Sequence, residues 1–281
     1  MWFGTAVAEL GIETANTLNR QAVRSMAAIE ARRLLRVLDM EAVTTLAEMR
    51  RFFEGAADLV MGDFMDFAWT WFPETDSVRF EWNSCFAFDG VTMLGVADRY
   101  ECGIFERIYG WTRRELMVRP DGLAAWKWEP DKTPNVTDRN NASDGELLIA
   151  WALVEAAERW NKPDYLNDAA RLATDLDRAV GIRSGLGRVF LPGVDGFSAA
   201  HREKEADGPV VNPSYWVFPA IDRLGRAAPR VDWDGYRASG YTLLRMAKFG
   251  SAGLPTEWVS IKGGQATPAK GFAPTFSYNA V

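Results

Sequence analysis

Asp144 is the carboxylate with the clearest chemical setting in this sequence, within the segment NNASDGELLIAWAL. The apolar run that follows it predicts a buried helix, so Asp144 lies in the first turn of that helix. Free N–H groups and the helix dipole at that end are expected to keep the carboxylate ionised. Ser143 and Glu146 have the spacing of a capping box. Asp144 is therefore a candidate catalytic or ligand-binding residue, with a capping role as the alternative.

Two further helix starts combine polar and aromatic side chains: Asn212, Pro213, Ser214 and Tyr215 in one, and Ser277, Tyr278 and Asn279 in the other. Asn212-Pro213 is a favourable N-cap and first-turn pair. If the three helix starts converge on one mouth, they form a groove suited to a neutral sugar chain. The twelve tryptophans of the chain favour this interpretation, because indoles present flat apolar faces, although any one of them can instead belong to the core.

Composition excludes several other classes of function. The chain has 281 residues and a net charge of −6, which is unsuited to a nucleic-acid partner. A multi-histidine metal site cannot be built, because His201 is the only histidine and lies in the polar run HREKEAD. Cys85 and Cys102 allow at most one disulfide. We expect no membrane span, and residues 1–20 lack the basic start of a signal peptide.

Helical patterns cover most of the chain that would position these residues. Residues 20–53 predict one or two amphipathic helices, and residues 58–90 are aromatic-rich and unassigned. Further helices are predicted over 90–99, 101–118, 143–160, 164–180, 213–225 and 233–249, with a long loop or β-ribbon over 181–197. A buried helix, an amphipathic helix and a long loop thus recur, which favours a ring of inner helices backed by outer ones over a parallel sheet. An ordinary helical bundle is the alternative.

Six segments resemble glycoside hydrolase family 8, in order and spacing: AAWKWEPD, NNASDGELLIAWALVEAAERW, LPGVDGFSA, GPVVNPSYWVFPA, FGSAGLPTEWVS and FAPTFSYNAV. The likeness covers about residues 90–281 and is greatest to the cellulases encoded beside bacterial cellulose synthases. It implies an all-α (α/α)6 barrel, inverting cleavage of β-1,4-glucan and no cofactor. It also implies a periplasmic or secreted location and a functional link to cellulose synthase.

The resemblance leaves the catalytic acid in question. An inverting hydrolase needs an acid at the glycosidic oxygen and a base that activates water on the opposite face. The family's general-acid glutamate falls on Ala87, which cannot donate a proton. Asp89 is the nearest substitute, and Glu81 and Glu54 are weaker ones.

Other site residues carry over more directly. Asp144 matches a family aspartate that contacts the sugar at the cleavage site. Asn279 occupies the position of the base, where an amide can orient water but cannot accept its proton. The groove residues expected from the resemblance and from the helix starts are Trp126, Tyr215, Tyr278 and Asn212.

Residues 1–80 do not match the family and are expected to form a divergent helical segment, followed by a truncated family 8-like domain over 81–281. Because the match ends within an inner helix, the barrel is expected to be incomplete at the C-terminus, with exposed apolar faces that favour self-association. Two main hypotheses follow: an endo-β-1,4-glucanase, or a glucan-binding pseudoenzyme that has lost acid catalysis. A helical interaction scaffold is a third.

Overall fold

A computed structural model describes residues 2–61, 66–75, 77–101, 103–129, 132–198 and 208–276. The chain divides into two compact units, Met1–Glu106 and Arg107–Val281. The boundary expected from the sequence, between residues 80 and 81, stays a prediction. None of the helices in the described ranges has the length and unbroken apolarity of a membrane span.

The described part of the first unit contains four α-helices and one hairpin: α1 (Trp2–Leu10), α2 (Ile12–Val37), α3 (Leu46–Ala56), β1 (Asp66–Phe72), β2 (Ser77–Ser84) and α4 (Phe86–Met93). A further helix, α5 (Gly103–Trp111), includes the boundary between the two units. The one or two helices predicted over 20–53 are two in the structure, α2 and α3, and α2 begins earlier than predicted, at Ile12. The helix predicted over 90–99 is wrong in its limits, because α4 begins at Phe86 and ends before a turn at Gly95, whose φ is 67°. The helix predicted over 101–118 is confirmed as α5 and the π-helical turn Thr112–Leu116.

Four α-helices, a 3-10 turn and seven short strands make up the rest of the second unit as far as the structure describes it: β3 (Lys127–Trp128), β4 (Val136–Asp138), α6 (Ser143–Trp160), α7 (Pro163–Val180), β5 (Gly181–Ser184), β6 (Gly187–Phe190), β7 (Val210–Val211), the 3-10 turn (Pro213–Tyr215), α8 (Phe218–Leu224), α9 (Trp233–Met246), β8 (Val259–Lys262) and β9 (Gln265–Pro268). Helix α6 packs against both α7 and α8. It is buried on more than one side, as its continuous apolar pattern predicts.

The strands form small antiparallel sheets between the helices. β3 pairs with β4, and β5 pairs with β6 as the ribbon predicted over 181–197. β7, β8 and β9 form a three-stranded sheet that the sequence analysis did not anticipate. These strands connect the helices and form separate small sheets, and they do not form one central sheet.

Aromatic side chains fill the core between α7, β6 and α9. The rings of Phe190 and Tyr236 stack with centroids 3.6 Å apart. The Tyr236 hydroxyl donates to Asp177 Oδ1 over 2.6 Å, and Arg188 Nη2 donates to the same oxygen over 2.6 Å. Because both polar groups are paired, the tyrosine and the carboxylate can be placed beside an apolar core.

Two predicted helices have different limits in the structure. The helix predicted over 213–225 is divided into the 3-10 turn and α8, because Pro219 has no N–H to continue the hydrogen-bond ladder. The helix predicted to reach Phe249 ends at Met246. Gly250, predicted to terminate it, has a φ of 63° but belongs to the following turn.

Candidate functional site

The N-terminal end of α6 is the candidate site, where three connecting segments of the second unit meet. The helix begins at Ser143, and Ala142 is the N-cap residue in an extended conformation. The predicted capping box is therefore wrong: the helix starts one residue earlier than that motif requires. Ser143 is completely buried, its N–H donates to the Pro192 carbonyl over 2.9 Å, and its hydroxyl has no hydrogen-bond partner in the described part of the chain.

Asp144 lies in the first turn of α6 with its side chain half-buried. Its Oδ1 accepts from the N–H of Gly145 over 2.8 Å. Burial raises the pKa of Asp144 above its usual value, and the backbone N–H groups oppose this shift only in part. The helix terminus alone predicts the opposite direction, so the expectation based on the dipole was incomplete.

Glu146 is a second carboxyl at this end of α6, and it was missed as a site residue. Its side chain is 1% exposed. Oε1 accepts from the N–H of Ala124 over 3.0 Å, and Oε2 accepts from Asn141 Nδ2 over 2.9 Å. Burial raises the pKa of Glu146 to about 8, although both donated hydrogen bonds act in the opposite direction. The available signal was an acidic residue inside an apolar helical run, but the capping-box pattern led to a capping role for Glu146.

Two asparagines hold the loop after β6 against this helix end. Asn141 Oδ1 accepts from the N–H of Val194 over 2.8 Å. Asn140 exchanges two hydrogen bonds with the backbone of Asp195, at 3.0 and 3.1 Å. A Cβ at Gly193 would lie 2.7 Å from the Asn141 carbonyl, so only glycine allows this close approach. The paired amides therefore fix loop 191–196 beside Asp144.

Trp126 presents an indole beside the same segments. The main-chain N–H of Trp126 donates to the Asn140 carbonyl over 2.9 Å. The pKa of Asp138 is lowered first by the N–H of Asn140 and then by a hydrogen bond from the Trp126 side chain. Trp126 is nevertheless 55% exposed. An indole with a fixed edge and an open face can stack on the flat apolar face of a ligand.

The Arg119 guanidinium group links the loop that carries Trp126 to the segment before α6. Arg119 forms an ion pair with Asp121 and donates to the Arg139 carbonyl. Arg139 in turn donates to the Val118 carbonyl over 2.7 Å. The pKa of Arg119 is raised, chiefly by its hydrogen bond to Asp121. The segment 117–126 is therefore held by side chains as well as by its own turns.

Asn212 and Tyr215 lie at the 3-10 turn, which contacts α6. Asn212 Oδ1 accepts from the Ser214 N–H over 3.0 Å and from the Ser214 hydroxyl over 2.8 Å, so its predicted N-cap role is confirmed. Its side chain is 1% exposed, which corrects the expectation that it contacts a ligand directly. Tyr215 is half-buried and lies edge-to-face with Trp258, with ring centroids 6.3 Å apart. Its role in a groove stays a prediction.

The predicted acid positions belong to the first unit. Ala87 lies in α4 and lines an apolar cavity of about 740 Å³ with Phe3 and Leu94. Asp89 is exposed on the same helix. Glu81 pairs with a neighbouring arginine on β2, and Glu54 pairs with one on α3, over 2.9 and 3.0 Å respectively. The catalytic roles considered for these residues stay predictions.

Five residues named in the sequence analysis lie outside the described residues: Cys102, His201, Ser277, Tyr278 and Asn279. The predicted helix start at Ser277 and the base position at Asn279 therefore stay predictions. Asp144, Trp126 and the turn of Asn212 all lie in the second unit.

Comparison with known proteins gives a consistent result over this part of the chain. A profile of the glycosyl hydrolases family 8 matches residues 89–281. An endoglucanase from Cellulomonas uda is 30% identical over 193 residues, which are 68% of this chain and 52% of that protein. A probable endoglucanase from Novacetimonas hansenii is 31% identical over 194 residues, or 68% of this chain and 55% of that protein. The chain therefore spans about half the length of the curated relatives it matches.

A solved structure supports the fold. The endo-β-1,4-glucanase from Acetobacter xylinum aligns with a TM-score of 0.58 and 32% identity, over 63% of this chain and 54% of that one. The fold class predicted from the sequence, that of an all-α (α/α)6 barrel, is confirmed by such neighbours. The short sheets described above are additions between the helices of that framework.

Proposed function

Because the chain belongs to the glycosyl hydrolases of family 8, we propose that it binds β-1,4-glucan and hydrolyses its internal bonds with inversion. The observation that carries the proposal is the end of α6, where Asp144 is half-buried and Trp126 presents an open indole. Asp138 bonds to the Trp126 side chain, and the Asn140 carbonyl bonds to its main-chain N–H. The endoglucanase from Cellulomonas uda and the endo-β-1,4-glucanase from Acetobacter xylinum, to which the chain is similar, agree with a glucan as the ligand.

The carboxyl groups of Asp144, Glu146 and Asp89 have different roles in this proposal. Asp144 has a raised pKa and reaches solvent, so it can hydrogen-bond a sugar hydroxyl in either protonation state. Glu146 is too deeply buried to touch the substrate. We propose that Asp89 supplies the proton to the leaving oxygen, and that Asn279 orients the attacking water.

A second candidate is a glucan-binding protein without turnover. The observation that favours it is Ala87, an apolar side chain where the family places its general acid. General acid–base catalysis typically contributes about 10² to 10⁴ in rate. A chain that lacks it keeps a groove for the ligand but cleaves slowly or not at all.

We propose that the protein acts on glucan outside the cytoplasm and next to cellulose synthesis. Both points rest on the resemblance to the cellulases of cellulose-producing bacteria.

The experiment measures cellopentaose binding by titration calorimetry and release of reducing ends from carboxymethyl-cellulose. Under the proposed hydrolysis, the chain binds the oligosaccharide and releases ends, and Asp144→Ala reduces both. Binding without release supports the second candidate. No binding at millimolar cellopentaose contradicts both.

Ala87→Glu tests the assignment of the acid position within the same assay. If Asp89 does not replace the missing acid, we expect reducing-end release to rise by about 10² to 10⁴, because Ala87→Glu restores a proton donor. Met93→Glu is the matched control, since it adds the same carboxyl to α4 at a position that is 90% exposed. An equal rate in the wild type and the Ala87→Glu variant would remove position 87 from the site.

A further inference from the structure

A chain of hydrogen bonds at the end of α6 runs from two main-chain N–H groups toward Glu146. The N–H of Val194 donates to Asn141 Oδ1 over 2.8 Å, and Asn141 Nδ2 donates to Glu146 Oε2 over 2.9 Å. The N–H of Ala124 donates to Glu146 Oε1 over 3.0 Å. Asn141 and Glu146 are 3% and 1% exposed. Both ends of the chain are main-chain donors, so the orientation of the Asn141 amide is determined.

This chain connects the segments that carry the two ligand-facing groups of the proposed site. Ala124 lies two residues before Trp126, and Glu146 lies two residues after Asp144. Val194 belongs to loop 191–196, which also bonds to Asn140. One carboxyl thus holds the tryptophan segment and that loop against the helix that carries Asp144.

We propose that Glu146 is a positioning residue for glucan binding, which fixes the indole of Trp126 and loop 191–196 relative to Asp144. The inference deepens the proposed function and rests on it. Glu146 acts through its neighbours, because its own side chain does not reach solvent.

Two N–H donors face the side chain at position 146, so the residue there needs an acceptor on each of its two terminal atoms. A carboxyl group offers an acceptor on each oxygen, whereas an amide offers one oxygen and one NH₂ group. In Glu146→Gln, the NH₂ group of the new amide therefore faces another donor, which is either the Ala124 N–H or the Asn141 NH₂ group. Asn141 cannot rotate to compensate, because its NH₂ group would then face the Val194 N–H.

A second substitution can restore every pair. In the double variant Glu146→Gln/Asn141→Asp, the new amide accepts from Ala124 and donates to the new carboxylate. That carboxylate also accepts from Val194. Asn141→Asp alone places two carboxyls together, which must share a proton. We expect its cellopentaose affinity to fall as pH rises, and that of the double variant to stay level.

The binding experiment compares the cellopentaose affinities of these variants by calorimetry, with thermal unfolding as a check on folding. We expect Glu146→Gln to weaken binding about tenfold or more, since an unsatisfied buried donor is costly. The double variant should return to within about threefold of the wild type, because its pairs are restored. Glu155→Gln is the matched control on the exposed side of α6 and should leave the affinity unchanged.

A readout without sugar separates failure of the inference from failure of the proposed function. The indole N–H resonance of Trp126, identified with Trp126→Phe, should shift in Glu146→Gln and return in the double variant. If wild-type protein binds no cellopentaose but the resonance follows this pattern, the glucan assignment fails and the positioning role stands. An unchanged resonance and affinity in Glu146→Gln would overturn the inference, as would a double variant no better than the single one.

Discussion

At the scale of the residue, Glu146 couples the stability of the fold to pH. Its pKa is raised from 4.5 to about 8, so between these values the folded chain binds more protons than the unfolded chain. The free energy of unfolding should therefore decrease as pH rises from about 4.5 to about 8. The contribution of Glu146 is on the order of a few kcal/mol. Urea unfolding at a series of pH values measures it.

Glu146→Gln cannot lose a proton and should remove most of this pH dependence. Glu155→Gln, on the solvent side of the same helix, should retain it. Equal slopes in the two variants would mean that Glu146 is already ionised in the folded protein.

Sequence patterns located Asp144 and Trp126 but not the network that holds them. The helix start at Asp144 is a local feature of the sequence, whereas the role of Trp126 was expected from the resemblance to the family. The burial of Glu146 depends on Ala124, which is 22 residues away in sequence, and no local pattern reveals that contact. The S-x-x-E spacing was present, but Ala142 takes the N-cap position.

At the scale of the element, the passage from α7 into β5 depends on the absence of a side chain at Gly181. A Cβ there would overlap the Tyr236 hydroxyl and the Asp177 carbonyl. Gly181→Ala should therefore separate Tyr236 from Asp177 and lower the free energy of unfolding by about 1–3 kcal/mol. Gly110→Ala is the control, because Gly110 is an exposed helical residue with no atom near the added Cβ.

Gly110→Ala should instead raise the free energy of unfolding by about 0.5–1 kcal/mol through helix propensity. Chemical denaturation of both variants checks the pair. A neutral or stabilising Gly181→Ala would show that Tyr236 can move without loss.

Among the elements, long periodic helices were predicted well and short strands were not. Helix α7 was found to within one residue, because its apolar face repeats over 18 residues. The β1–β2 hairpin and the β8–β9 hairpin were missed. The alternating DFAWTWF and the Gly263-Gly264 turn were the available signals. β8 and β9 have only four residues each, which gives a weak pattern.

At the scale of the whole molecule, the two compact units should unfold in separate transitions. Each has a buried core of its own: Val91 belongs to the first unit and Leu172 to the second. We expect Val91→Ala and Leu172→Ala to lower different transitions in scanning calorimetry. Cellopentaose at 100 times its Kd should stabilise the Leu172-sensitive unit by about 2.7 kcal/mol. A single transition lowered by both variants would contradict this.

The family and the barrel class could be predicted from the sequence because six segments occur in the family's order. The self-association expected from exposed apolar faces stays a prediction. The assignment of Ala87 to the acid position stays a prediction, since the match to the family model begins at residue 89.

The direction of the hydrogen bonds through Asn141 restricts how this site can evolve. Asparagine and glutamate at positions 141 and 146 have one equivalent arrangement, aspartate and glutamine, and each route between them passes through a mispaired intermediate. Lineages are therefore expected to inherit the two residues as a unit. Sequences that carry one exchange without the other should be uncommon among proteins that keep the same loop backbone.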